Sequence, residues 1–217
     1  MILDERLYTY IDSLDAGEEP FLENLRADAE KRGVPIIRRQ AQKLLAVLLQ
    51  MKRPKQILEV GTAIGYSSLF MAGVLPESLI TTIEISEERA AEAEKNIRGA
   101  GKDRQIAVIR GDGAEVLPEL QSEGKTYDFL FLDSAKGQYI RLLPVIKKLL
   151  TPGGVLVTDN VLQDGTIVDS RFLIERRDRT IHERMRDYNW AVMHDGGLMS
   201  CLLATGDGMT ISVKKDE

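Results

Sequence analysis

The sequence predicts an α/β fold: a mostly parallel seven-stranded sheet covered by helices, closed by an antiparallel hairpin and preceded by extra helices. Three observations predict it. Five short apolar runs bounded by turn residues alternate with helical patterns through the middle of the chain. Two further runs near the C-terminus flank an Asp-Gly pair, and three amphipathic stretches come ahead of the first run.

The five runs cover residues 56–60, 79–84, 105–109, 127–132 and 155–158. Rich in β-branched residues and almost continuously apolar, they read as strands buried on both faces. Helices are expected between them at 66–75, 87–99, 113–121 and 138–150. Ser86 ahead of Glu87 and Glu88 forms an N-cap followed by first-turn acids. A longer helix is expected from about 173 to 193. The runs 198–204 and 209–213 then flank Thr205-Gly206-Asp207-Gly208, a hairpin signal. The N-terminal stretches lie near 2–14, 20–32 and 36–51. Their stripes, such as Leu44, Leu45, Leu48 and Leu49, must pack on the sheet or on a second subunit, which makes a homodimer an expectation. With no repeat, low-complexity tract or linker, residues 1–217 read as one domain, 1–52 forming the N-terminal helices and 53–217 the α/β core.

Composition narrows the class. A chain of 217 residues buries about 70% of its unfolded surface and needs no disulfide to hold a core. The single cysteine, Cys201, cannot bridge internally, which argues against a disulfide-rich secreted protein and for a reducing, cytoplasmic setting. No window approaches the ~18 consecutive apolar residues of a spanning helix, so no membrane partner is expected. The net charge of -5 argues against wholesale coating of nucleic acid but says nothing of a local basic patch.

The first strand-to-helix turn reads Glu59-Val60-Gly61-Thr62-Ala63-Ile64-Gly65-Tyr66-Ser67. Turns at the carboxyl ends of parallel strands are where such sheets bind ligands. A dinucleotide fingerprint needs three glycines to admit a pyrophosphate, and only Gly61 and Gly65 are present. The spacing suits a ligand with an adenosine half and no pyrophosphate, such as S-adenosylmethionine. Glu84, ending the second strand, is the acid expected on the ribose hydroxyls. Asp112, within Gly111-Asp112-Gly113 after the third strand, is placed to reach an adenine amino group, with a backbone N–H for a ring nitrogen. Each feature alone also reads as an ordinary turn; three strand ends in a row favour a ligand.

The fourth and fifth strands end in Asp133 and in Asp159-Asn160. If these strands are neighbours, two carboxylates and an amide oxygen converge, a hard all-oxygen set suited to Mg2+. Zinc would draw on His or Cys, and His182, His194 and Cys201 lie elsewhere in the pattern. The other reading of each aspartate is a helix cap. Lys136 brings a cation toward the same rim.

These residues together resemble the Mg2+-dependent O-methyltransferases of the catechol and caffeoyl-coenzyme A type. The pattern Glu59-x-Gly61-x-x-x-Gly65-Tyr66-Ser67, Asp133-x-x-Lys136, Asp159-Asn160 and Gly206-Asp207-Gly208 carries the resemblance over about residues 36–213. The phrases Gly61-Thr62-Ala63-Ile64-Gly65-Tyr66-Ser67, Lys136-Gly137-Gln138-Tyr139 and Thr158-Asp159-Asn160-Val161-Leu162 are most similar to the bacterial tRNA 5-hydroxyuridine methyltransferases of that family. The resemblance implies a Rossmann-like S-adenosylmethionine-dependent methyltransferase fold. It implies Asp133, Asp159 and Asn160 as metal ligands, Lys136 and Asp133 as catalytic residues, and Ile37, Glu59, Gly61, Ser67, Glu84, Asp112, Gly113 and Asp133 around the cofactor. Gly113 and Ser134 depart from the alanines usual there. The implied acceptor is wobble 5-hydroxyuridine in a tRNA anticodon region; a small catechol-like substrate is the alternative, and a non-catalytic S-adenosylmethionine-binding module a further one.

The acceptor question leads to the basic residues. Arg171, Arg176, Arg177, Arg179, Arg184 and Arg186 crowd the segment before the hairpin, with Arg38, Arg39, Lys52, Arg53 and Lys55 elsewhere. Arginines can grip phosphates, and Tyr188 or Trp190 can stack on a base. Interleaved Glu175, Asp178, Glu183 and Asp187 favour instead a salt-bridged helix with Ile181, Met185 and Tyr188 facing the core. Cys201, Met193 and Met199 read as core fillers.

Overall fold

The computed structural model describes residues 5–216. Three helices come first, α1 (Glu5–Ser13), α2 (Pro20–Arg32) and α3 (Arg39–Lys52). The alternating core follows as β1 (Gln56–Val60), α4 (Tyr66–Val74), β2 (Leu79–Glu84), α5 (Glu87–Gly99), β3 (Ile106–Arg110) and α6 (Gly113–Ser122). It continues through β4 (Tyr127–Leu132), α7 (Tyr139–Leu149), β5 (Leu150–Thr158) and α8 (Arg179–His194) to the hairpin β6 (Leu198–Leu203) and β7 (Met209–Lys214). The seven strands are ordered β3-β2-β1-β4-β5-β7-β6. The pairs from β3 through β5 are parallel, while β5 with β7 and β7 with β6 are antiparallel, so the predicted architecture holds.

The continuous apolar runs have a simple cause: both faces of the sheet are covered. Side chains alternate along a strand, so Ile57, Phe129, Phe131, Val155 and Val157 face one layer while Leu58, Val60, Leu130, Leu132 and Leu156 face the other. The first layer takes Leu45 and Leu49 of α3, Phe70 of α4 and Ile97 of α5. The second takes Leu117, Leu142, Ile146, Met185 and Tyr188 from α6, α7 and α8. Leu22 and Leu25 of α2 join the first layer, so the stripes of α2 and α3 pack on the sheet side of this chain, whereas Leu7 and Tyr10 of α1 are exposed. The reversal of order at β1 and β4 opens a crevice at the carboxyl ends of the central strands, where such sheets bind ligands.

Several expectations need correction. The last long helix begins at Arg179, not 173, because Phe172 and Leu173 are exposed and residues 175–178 are all charged, which leaves no apolar face to pack. Ahead of it, residues 163–168 form a kinked 3-10 turn with Gln163 and Asp164 at positive φ. The fifth strand starts at Leu150, earlier than expected, after a register shift opposite Tyr127 and Phe129. Cys201 and Met199 are exposed because β6 is an edge strand with one face uncovered, and Met193, near the end of α8, is exposed as well. Residues 2–4 of the first predicted helix lie outside the described residues. Among the described residues no helix is long and apolar enough to cross a membrane.

Phe129 is fully buried in the centre of the sheet. Phe129→Ala is expected to lower unfolding free energy by about 3–5 kcal/mol, read from denaturant midpoints.

Candidate active site

Three backbone couplings line up the strand ends. Gly61 N–H donates to the Ile83 carbonyl at 2.9 Å, Asp133 N–H to Val60 at 2.9 Å, and Asp159 N–H to Leu132 at 3.0 Å. Each parallel register thus runs one residue past the strand and places the next side chain at the rim. Gly61 has φ 107°, and a Cβ there would lie 1.8 Å from the Asp133 carbonyl oxygen. Only glycine permits this approach.

The crevice is a cavity of about 490 Å³. Its walls include Ile36 and Ile37 ahead of α3, Gly61 to Ala63, Ser67, Glu84, Gly111 to Gly113, Asp133 to Lys136, and Asn160. Most of the expected cofactor residues therefore share one space. Glu84 accepts from Ala63 N–H at 2.8 Å through one oxygen and from Ser86 N–H at 2.9 Å through the other. Both bonds are structural, and together they hold the carboxylate rigidly at the wall with lone pairs to spare. Asp112 is the N-cap of α6, accepting from Ala114 N–H at 2.9 Å, so one residue both caps a helix and lines the cavity.

Glu59 is placed differently from the expectation of cofactor contact. It is fully buried and does not line the cavity; Ser67, Ser68 and Thr82 donate their hydroxyls to its carboxylate. It braces the glycine turn from beneath, tying β1 to β2 and to the first turn of α4. Ser67 lines the cavity, but its hydroxyl is turned to Glu59. Burial pushes the Glu59 carboxyl up to about 7, against the pull of the three hydroxyls.

At the ends of β4 and β5, Asn160 Nδ2 donates to Asp133 Oδ1 at 2.7 Å, and Asn160 N–H donates to Asp159 Oδ1 at 2.7 Å. Asn160 sits at φ 63°, a conformation asparagine tolerates better than most residues. The three predicted metal residues do converge. Burial raises both aspartates above the ordinary carboxylate range, and their mutual repulsion adds to this for Asp159, while the Asn160 bonds oppose it. Among the described residues, no group of three or more His, Cys, Asp and Glu adds to the set. A buried and a partly buried carboxylate with an amide are nevertheless a donor set that fits a hard divalent cation completed by water or substrate oxygen, and such a cation would relieve the repulsion.

Lys136 lines the cavity beside Asp133, and its Nζ donates to Asp207 Oδ2 at 3.1 Å. Asp207 is buried, and its other oxygen accepts from Asp164 N–H. It is a functional candidate that sequence reasoning missed as such: Asp-Gly was read as a hairpin turn, and the turn hid a carboxylate aimed at Lys136. Ser134, which stands where alanine is usual, lines the cavity with its Oγ buried and unpartnered among the described residues.

The arginine cluster is mostly engaged within the chain. Arg171 pairs with Glu183, and Arg177 with Glu175 and Asp178. Arg179, Arg184 and Arg186 donate to the carbonyls of Ile174, Gly137 and Ile167. Tyr188 is fully buried, which removes it as a stacking platform, and Ile181 is partly exposed, not core. Trp190 is exposed and stacks on His194 at 4.4 Å between ring centroids.

Two outcomes follow. Gly61→Ala is expected to abolish ligand binding in the cavity and lower the melting temperature, because a Cβ cannot coexist with the Asp133 carbonyl; ligand titration and thermal melts check it. Glu59 has its folded pKa raised above the unfolded value of 4.5, so its contribution is fully present below pH 4.5 and lost as pH rises through about 7. Glu59→Gln should flatten the fall in melting temperature across that window, with chelator present throughout; an unchanged slope would show that other groups set it.

The chain and its overall architecture match known proteins. The O-methyltransferase family model matches residues 12–215. The chain is 35% identical over 164 residues to the catechol O-methyltransferase of Niastella koreensis, covering 74% of each protein. A crystal structure from Staphylococcus aureus superposes with a TM-score of 0.89 at 33% identity, covering 97% of this chain and all of that one. The O-methyltransferase TomG of Streptomyces achromogenes, solved in complex with SAM, gives a TM-score of 0.81 at 25% identity over 96% of this chain and 95% of its own. The chain belongs to the class I O-methyltransferase family of the catechol and caffeoyl-CoA type.

Proposed function

We propose that this protein transfers a methyl group from S-adenosylmethionine to a hydroxyl that has a second oxygen beside it, with Mg2+ held by Asp133, Asp159 and Asn160. The observation that carries the reading is that one cavity is lined by Gly61, Glu84 and Asp112 together with Asp133, Lys136 and Asn160. S-adenosylmethionine supplies an electrophilic methyl, and Mg2+ lowers the pKa of an oxygen bound to it. The rest falls to the chain. Glu84, fixed by two backbone N–H groups, accepts from ribose hydroxyls; Asp112 meets the adenine edge. Ile36 and Ile37 cover the cavity and exclude water. Ser134 Oγ offers a free hydrogen-bonding group at the wall. Lys136, steered by Asp207, holds a positive charge where the acceptor oxygen becomes anionic.

The vicinal oxygens required are those of a catechol, and equally the 5-hydroxyl and 4-carbonyl of 5-hydroxyuridine. The second of these, at the wobble position of tRNA, is favoured by the phrases Lys136-Gly137-Gln138-Tyr139 and Thr158-Asp159-Asn160-Val161-Leu162 and by the exposed Trp190 as a stacking surface. The internal pairing of the arginines favours a small catechol-like or caffeoyl-CoA-type acceptor instead.

Mass analysis of products after incubation with S-adenosylmethionine and Mg2+, on a catechol and on hydroxyuridine-containing tRNA, separates these. Transfer to tRNA alone establishes the wobble reading; transfer to the catechol alone removes it. S-adenosylmethionine binding with no transfer to any acceptor would point to a non-catalytic module. Asp159→Ala should stop transfer while leaving cofactor affinity nearly unchanged. Lys136→Met is expected to lower kcat by about 10²–10³ with little change in cofactor affinity.

A further inference from the structure

We propose that Arg26 is a positioning residue for cofactor capture, an internal clasp that holds the apolar cover at residues 35–37 against Tyr66 at the glycine turn. The inference rests on the cavity being the S-adenosylmethionine site.

Arg26 lies in the middle of α2 and is only 4% exposed. A buried position on a helix is ordinarily filled by an apolar side chain, and a guanidinium there must recover its lost hydration through hydrogen bonds. It does so on three separate segments. Nε donates to Tyr66 Oη at 3.2 Å, and Nη2 donates to the Ile37 carbonyl at 3.0 Å and to Gln42 Oε1 at 2.5 Å. Tyr66 Oη donates in turn to Gln42 Oε1 at 3.0 Å, and the guanidinium stacks 4.7 Å from the Tyr66 ring centroid. Among the described residues its only ion pair is with Glu30 at 3.6 Å, whose side chain is 62% exposed.

Two of the three segments so joined, at Ile37 and Tyr66, line the cavity, whereas Arg26 and Gln42 do not. The cover itself is irregular backbone between α2 and α3. On its outer side Arg38 pairs with Asp164 at 2.6 Å, and Asp164 N–H donates to the same Asp207 that holds Lys136. The cover is therefore held from within by Arg26 and from without by the acceptor-side loop. A planar group with donors in fixed directions can make the three inner bonds at once; a lysine cannot. Without the clasp the closed cover becomes one of several conformers, and apparent affinity falls by the fraction that remains closed.

The test uses calorimetry with S-adenosylhomocysteine, hydrogen exchange over residues 34–38, and kcat at saturating S-adenosylmethionine. Arg26→Met is expected to raise Kd roughly tenfold or more and to speed exchange in the cover, with kcat at saturation almost unchanged. Arg26→Lys should recover part of the affinity, and Gln42→Met should shift Kd in the same direction by less. A folded Arg26→Met protein that binds as tightly as the unaltered one overturns the clasp, as does a loss confined to kcat. If Arg26→Met does not fold, Gln42→Met decides, and unchanged affinity and exchange in that variant overturn the proposal. Failure of the unaltered protein to bind S-adenosylhomocysteine would sink the cofactor reading, and the clasp with it.

Discussion

The candidate site depends on one close approach, the main chain of Gly61 against the carbonyl of Asp133. The two residues leave neighbouring parallel strands, β1 and β4, at the point where the strand order reverses. Because no Cβ intervenes, the glycine turn that begins α4 and the acidic rim that begins with Asp133 share one cavity. A larger residue at 61 would separate the two halves.

Around that contact the chain places its ionisable groups in two different environments. Glu59 is withdrawn under the turn and satisfied by hydroxyls, so it serves as a brace. Asp159 is buried and Asp133 partly buried close to it, with an amide bridging them and Lys136 alongside, a pair whose ionised form a further cation would favour. Similar residue types thus do opposite work. What separates them is the supply of hydrogen-bond donors: three for Glu59, and mainly the Asn160 amides for the pair.

The loops that complete the site come from far along the chain. Asp207, in the β6–β7 turn, orders both Lys136 and the backbone at Asp164, and Asp164 meets Arg38 at the cover. Gly208, at φ 85°, lets the same turn press on Leu162, where a Cβ would come within 2.3 Å of the leucine Cγ. The terminal hairpin therefore does more than finish the sheet. It is the part that joins the acceptor side to the cofactor cover.

Much of this was legible in the order of residues. Periodicity marked the strands because a sheet covered on both faces leaves nearly continuous apolar runs, and Gly61, Glu84, Asp112, Asp133 and Asp159 were visible because each ends such a run or follows it within three residues. Register then carries the next residue to the rim with little freedom. What the residues could not show was decided by contacts between distant segments. Glu59 turned inward because Ser67, Ser68 and Thr82 offered donors; Cys201 and Met199 were left in solvent because β6 took the sheet edge; the last helix started late because residues 175–178 found no apolar surface. The buried clasp of Arg26 belongs to the same class. Local sequence determines which groups stand at strand ends, whereas burial and pairing between segments far apart in the chain determine which of those groups face a ligand.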